Sequence, residues 1–206
     1  MLTLYSLVVL VLFLSLLPLA LLISLVKSDL FRELMERLGL YSREITEYLQ
    51  TLKKEKKEII WVNAASVGEI TMVQPLLKEL GERYPNSGYL IVVNSYSGEQ
   101  MANKLFGAEK VILQPLDLPG ITRWVARKVK PKLTIVAEFE MWPNIIRELS
   151  KVGSKVVLIN GAMDNKILKY YRLFPGLLTS TLNKLDLLGM KNEAEQKMLE
   201  ALGVMP

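Results

Sequence analysis

Ile59-Ile60-Trp61-Val62-Asn63-Ala64-Ala65-Ser66-Val67-Gly68-Glu69 is the stretch that decides the fold. Its first six residues form a short apolar run of strand length, near Ile59–Ala64, with no polar alternation. Such a run reads as a strand buried on both faces. Ser-x-x-Glu follows at once and is the sequence form of a helix start, in which Ser66 accepts from the Glu69 amide and the Glu69 side chain reaches back. A buried strand handed directly to a helix opens a βαβ unit.

The same handover recurs downstream. Strands are expected near Tyr89–Asn94, Lys110–Leu113, Leu133–Ala137, Lys155–Ile159 and Asp186–Met190. Helices are expected at Glu69–Tyr84, Gly98–Phe106, Gly120–Val129, Pro143–Lys151, Tyr170–Leu185 and Glu193–Leu202. This alternation specifies an α/β fold, a Rossmann-like parallel sheet with helices on both faces. Open sheets of this kind bind ligands at the C-terminal ends of their strands.

Two segments deliver carboxylates to that edge. Glu69 stands in the first turn of a helix, where the dipole favours its ionised form, and an ionised carboxylate at a cleft mouth is suited to take a proton from a hydroxyl. Gly68 beside it permits close approach of a ligand. A plain helix cap explains Ser66 and Glu69 equally well. The second segment, Glu138-Phe139-Glu140-Met141-Trp142-Pro143-Asn144, follows the strand Leu133–Ala137. If the extended conformation continues, Glu138 and Glu140 point to one face, and Pro143 suits the first turn of the next helix. Caps for neighbouring helices, with Trp142 filling the core, remain the alternative. Asn94-Ser95-Tyr96-Ser97-Gly98 and Asn160-Gly161 bring further small polar groups to strand ends, which ordinary turn chemistry also accounts for.

Ahead of the sheet, residues 2–26 carry no charge and are dominated by Leu, Val and Ile. At ~1.5 Å per residue they suffice for a hydrocarbon core of roughly 30 Å. A membrane anchor over 1–27 is favoured over a cleaved signal peptide, because no basic residue precedes the run and no small-residue cleavage site ends it. Basic residues begin only at Lys27, which places the folded part on the cytoplasmic side. Residues 28–57 read as an amphipathic helix ending at Gly39, lying on the membrane or on the domain, followed by a charged stretch, Gln50–Lys57, that is a solvated helix end or linker. The foldable domain is 58–206.

The 206 residues contain no Cys and no His and have a formal net charge of +5. Disulfides, thiolate chemistry and imidazole catalysis are excluded, and carboxylates are left as the acid–base groups. The positive balance beside an anchor points to an anionic membrane surface, with Arg123, Arg127, Lys128 and Lys130 as contacts. Nucleic acid is not expected, since aromatics do not interleave with the basic residues. Walker A, Gly-x-Gly-x-x-Gly and Gly-x-Ser-x-Gly signatures are absent.

Taken together, residues 60–69, Asn94–Gly98, Pro115-Leu116-Asp117-Leu118-Pro119, Glu138–Asn144 and Ile159-Asn160-Gly161-Ala162 resemble, in order and spacing, the N-terminal half of the lipid A Kdo transferases (Kdo is 3-deoxy-D-manno-octulosonic acid). The resemblance implies the N-terminal domain of a two-domain GT-B glycosyltransferase of the bacterial inner membrane. It implies transfer of Kdo from CMP-Kdo to a lipid A precursor in lipopolysaccharide biosynthesis, with inversion and with no metal or cofactor. By position, Glu69 matches the general base and Glu138 the residue supporting the transition state. Ser66, Gly68, Ser95, Ser97, Gly98, Glu140, Trp142 and Asn144 fall on the substrate side. The chain departs from the family pattern at Phe139 for Thr, at Met141 for Leu, and at Ala162-Met163-Asp164 for Arg-Leu-Ser. The half of the family that binds the nucleotide has no counterpart here, so this chain by itself is expected to hold acceptor and not donor, and to be inactive. A non-catalytic membrane-anchored binding or scaffolding subunit is the alternative reading.

Overall fold

In the computed structural model, which describes residues 1–24, 28–140, 142–162, 175–201 and 203–204, the helices before the sheet are α1 (Leu2–Ser24), α2 (Ser28–Arg37) and α3 (Arg43–Lys54). The sheet and its covering helices follow as β1 (Glu58–Asn63), α4 (Val67–Arg83), β2 (Ser87–Val93), α5 (Tyr96–Phe106), β3 (Val111–Leu113), α6 (Pro119–Val129), β4 (Leu133–Ala137), α7 (Pro143–Lys151), β5 (Lys155–Gly161), α8 (Pro175–Leu182), β6 (Leu187–Met190) and α9 (Glu193–Ala201). The strands pair in parallel in the order β3-β2-β1-β4-β5-β6. Strand order runs outward from β1 to β3 and then restarts at β4 on the other side of β1. The topological switch therefore lies between β1 and β4, where a crevice opens outside the carboxyl ends. Asn63 pairs with Val136 in this register, so both strands end at the same level.

Both sheet faces are buried, which is why the strands show no polar alternation. Trp61, Leu90, Val92, Ile112, Val136 and Val156 pack against α3, α6 and α7 on one face. Ile60, Val62, Ile91, Val93 and Ile135 meet Ile70, Val73 and Leu77 of α4 on the other. Truncating Trp61, 1% exposed, to Ala should cost about 3–5 kcal/mol.

The segment 28–57 differs from the sequence reading of one helix and a linker. Ser42 caps α3 by accepting from the Ile45 amide. Ile45, Leu49 and Leu52, spaced for one helix face, are then buried. A Cβ on Gly88 would come within 2.5 Å of Leu52, so this glycine lets α3 approach β2. The charged run Gln50–Lys57 begins as the solvated end of α3, as one of its two sequence readings has it, and only the residues after Lys54 are linker.

α2 docks on the domain through its polar side. Arg32 Nη1 contacts Glu99 Oε1 at 2.8 Å, and buried Glu36 accepts from the Leu113 amide at 2.7 Å. Arg37 donates to Asn94 Oδ1, Asn94 O and Gln114 O at 3.0–3.1 Å. Leu30 and Phe31 stay exposed. Among the described residues α1 is the one helix long and apolar enough to cross a membrane, and its side chains are mostly exposed. Its first turns touch the domain, Tyr5 Oη donating to Asp117 Oδ2 at 2.9 Å and Ser6 Oγ to Asn144 Oδ1 at 3.0 Å.

The basic residues assigned to one membrane surface separate in space. Arg123 and Arg127 line a groove between α6 and α7. Lys128 sits over the Tyr41 and Trp124 rings at 4.6 and 4.8 Å. Lys130 caps the far end of α6 in a left-handed conformation, beside Lys132 at the opposite edge of the sheet. Lys27, Met141, Met163, Asp164, Leu202 and the start of the helix expected at Tyr170 lie outside the described residues.

Candidate functional site

Glu69 enters the switch-point crevice from the first turn of α4. The Ser66 hydroxyl accepts from the Glu69 amide at 3.3 Å and donates to Glu69 Oε1 at 2.8 Å, while Oε2 accepts from the Ala65 amide at 2.8 Å. The capping box is thus present, with the carboxylate reaching one residue beyond the cap. Glu69 is 7% exposed. Burial raises its carboxyl above the usual range, the bonds from Ala65 and Ser66 offset part of this, and the Glu140 and Glu138 charges add to the rise. Dipole stabilisation of the ionised form, expected from sequence, is outweighed by desolvation. The result favours proton acceptance, because a carboxylate lifted in this way is the stronger base.

Across the switch, the strand extension expected at Glu138 and Glu140 does not occur. Glu138 has φ of +59°, and its amide donates to Ile159 O at 3.0 Å. The left-handed turn breaks the two-residue period, so Glu138 is exposed while Glu140 is partly buried. Glu140 Oε2 accepts from Trp142 Nε1 at 3.3 Å and from Asn63 Nδ2 at 3.5 Å. Asn63, at the end of β1, links the two sides of the switch. Its own Oδ1 is buried and has no hydrogen-bond partner among the described residues, a state that costs about 1–3 kcal/mol. A polar residue closing the apolar run Ile59–Val62 was the sequence signal for it.

The α5 start packs beside Glu69. Ser95 Oγ donates to Ala65 O at 3.0 Å and accepts from the Gly98 amide at 3.1 Å. A Cβ on Gly98 would lie 3.0 Å from Ala65 O, so glycine permits this approach. Ser66, Gly68 and Ser97 are exposed at the edge, and a Cβ on Gly68 would meet only the Ser66 hydroxyl, at 3.9 Å. Asn144 is placed differently: it is fully buried, and its side chain is engaged with Asp117 O at 2.6 Å and with Ser6. Asp117 takes the Asn144 and Ile145 amides at 3.0 and 2.8 Å and so caps α7 from a distant loop. Burial pushes the Asp117 carboxyl upward against these bonds. The crevice therefore gathers Glu69, Glu138, Glu140, Trp142 and Asn63, a carboxylate-rich edge suited to hydroxyl groups and to accepting a proton from one of them.

Residues 32–206 match the family described as 3-Deoxy-D-manno-octulosonic-acid transferase (kdotransferase). A 3-deoxy-D-manno-octulosonic acid transferase of Chlamydia trachomatis serovar D is 30% identical over 154 residues, 73% of this chain and 36% of that protein. The protein of that name from Haemophilus influenzae is 28% identical over 180 residues, covering 86% of this chain and 40% of its own length. A bifunctional glycosyltransferase/methyltransferase of Fusobacterium nucleatum is 28% identical over 165 residues, 79% of this chain and 25% of that protein. The chain matches at most about two-fifths of the length of these relatives.

Proposed function

Because the chain belongs to the 3-deoxy-D-manno-octulosonic acid transferase family, we propose that it is the membrane-anchored, acceptor-binding half of a Kdo transferase acting in lipopolysaccharide biosynthesis. The acceptor is a lipid A precursor and the donor is CMP-Kdo, bound by a further domain of the kind that fills the remaining length of its relatives. In the transfer, an acceptor hydroxyl oxygen attacks the anomeric carbon of Kdo, the bond to CMP breaks, and CMP leaves with the electron pair. A single displacement of this kind inverts the anomeric centre. Glu69 takes the hydroxyl proton. Glu138 and the Glu140–Asn63 pair shape the acceptor side and the developing charge. α1 holds the domain at the cytoplasmic face of the inner membrane, against an anionic lipid surface.

The observation that carries this reading is the placement of Glu69, its carboxyl raised by burial and held by Ala65 and Ser66, across the switch point from Glu138 and Glu140. The test is equilibrium binding by the full chain in neutral detergent. Saturable binding of lipid A precursor with no binding of CMP is the expected result. Binding of CMP without binding of the lipid would overturn the assignment, and binding of neither would leave a scaffolding subunit as the better description.

A further inference from the structure

A second charged feature lies outside the crevice, on the flank where α6 and α7 pack side by side. Pro119, Gly120, Arg123 and Arg127 form one wall of a groove, and Arg147, Glu148, Lys151 and Val152 form the other, enclosing about 370 Å³. Arg123 and Arg127 are four residues apart on α6, as are Arg147 and Lys151 on α7, so each pair lies on one face of its helix. Two cationic ladders therefore face each other.

The single carboxylate that the described residues place in the groove is already committed. Glu148 Oε1 accepts from Arg147 Nε at 2.9 Å and from Lys151 Nζ at 3.0 Å, and its side chain is 8% exposed. Burial alone would push the Glu148 carboxyl up; the hydrogen bonds and charges of Lys151 and Arg147 outweigh it and hold the carboxyl below the usual range. Glu148 thus remains an anion that fixes the α7 cations in place. Arg123 and Arg127 have no carboxylate within ion-pair distance among the described residues. Four cations against one carboxylate leave three surplus positive charges around one concavity, which focuses potential there.

The upper end of the groove adjoins the membrane helix. Asp117, two residues before Pro119, accepts from Tyr5, and Asn144, three residues before Arg147, accepts from Ser6. Tyr5 and Ser6 belong to the first turns of α1, so this end of the groove lies beside the apolar helix.

We propose that the α6–α7 groove is a binding site for a phosphate-bearing anion, with Arg123 and Arg127 as its direct ligands and Arg147 and Lys151 as the cations that complete it. Guanidinium pairs suit this role because each presents two parallel N–H donors to phosphate oxygens. The site deepens the reading of an anionic membrane surface as partner, since it names the groups that recognise the headgroup, and it does not depend on the transfer reaction.

The test uses the full chain in neutral detergent micelles, titrated with inorganic pyrophosphate and, separately, with micelles doped with phosphatidic acid. The variants are Arg123→Gln/Arg127→Gln and, as a charge-matched control, Lys130→Gln/Lys132→Gln at the far edge. Loss of the two exposed arginines should weaken binding by at least tenfold while the control changes it less than threefold. Arginine-dependent binding of both probes marks a general phosphate site. Dependence for phosphatidic acid alone marks a lipid headgroup, and dependence for pyrophosphate alone marks a soluble ligand. Equal weakening in both variants, or none in either, overturns the proposal. Association of the same proteins with neutral phosphatidylcholine vesicles reports the anchor separately, so failure of the groove is distinguishable from failure of the membrane reading.

Discussion

Replacing Glu138 by Gly separates the backbone of the site from its chemistry. Glu138 holds φ at +59° with its side chain exposed, a conformation that costs an L-residue about 1–2 kcal/mol and glycine nothing. The extra freedom of glycine in the unfolded chain returns about 0.5–1 kcal/mol of that difference. The net expectation is a gain of about 0.5–1 kcal/mol, or about 1–4 °C in unfolding midpoint for a chain of this size. Glu138→Ala keeps the Cβ and the strain, so it should show no such gain. Thermal unfolding of the three proteins in neutral detergent measures the contrast. The transfer rate, measured after fusion to the part of the Haemophilus influenzae relative that this chain does not match, should fall in both variants because both lose the carboxylate. A Gly variant no more stable than the Ala variant would show that the left-handed turn stores no strain. An unchanged rate in both would remove Glu138 from the mechanism.

Asp117→Ala should strip the cap from α7 and leave the Asn144 and Ile145 amides unpaired, at a cost of about 2–3 kcal/mol; a fall of about 4–12 °C in midpoint is expected, and a fall under 2 °C would mean the loop does not hold the helix. Because Glu69 must be ionised to accept a proton and its carboxyl is raised, the rate should decline as pH falls through a range above that of a free carboxylate. Glu140→Gln removes one of the charges that raise Glu69, so in kcat/KM against pH the acid limb should move to lower pH; a limb that stays in place or moves up contradicts the coupling.

The sheet was legible in the sequence because strands buried on both faces leave continuous apolar runs, and the residues that join them, such as Ser66 and Pro143, carry helix-start chemistry. Strand order was not legible, since a switch between β1 and β4 depends on crossovers that no local pattern records. α3 was missed because its stripe of Ile45, Leu49 and Leu52 runs into the charged stretch after Gln50. The capping geometry of Glu69 was legible in Ser-x-x-Glu, but the direction of its carboxyl shift was not, since desolvation depends on how deeply the fold encloses it. The left-handed turn at Glu138 left no glycine or asparagine to announce it. Asp117 stood in a recognisable Pro-Leu-Asp-Leu-Pro segment, yet its partner amides lie about 27 residues on, beyond the reach of spacing arguments.

Glu69→Gln in the fused two-domain protein separates a base at this position from a plain helix cap. Gln can accept from the Ala65 amide through Oε1 and donate to Ser66 Oγ through Nε2, so the cap survives. The folded state binds the Glu69 proton more tightly than the unfolded chain. Its stability penalty therefore develops as pH rises from the unfolded pKa through the raised folded one, and neutral Gln lacks that penalty. The unfolding midpoint at neutral pH should accordingly be equal or higher, while the rate of Kdo transfer falls by about 10²–10⁴-fold. Wild-type turnover in Glu69→Gln would return Glu69 to the role of a helix cap.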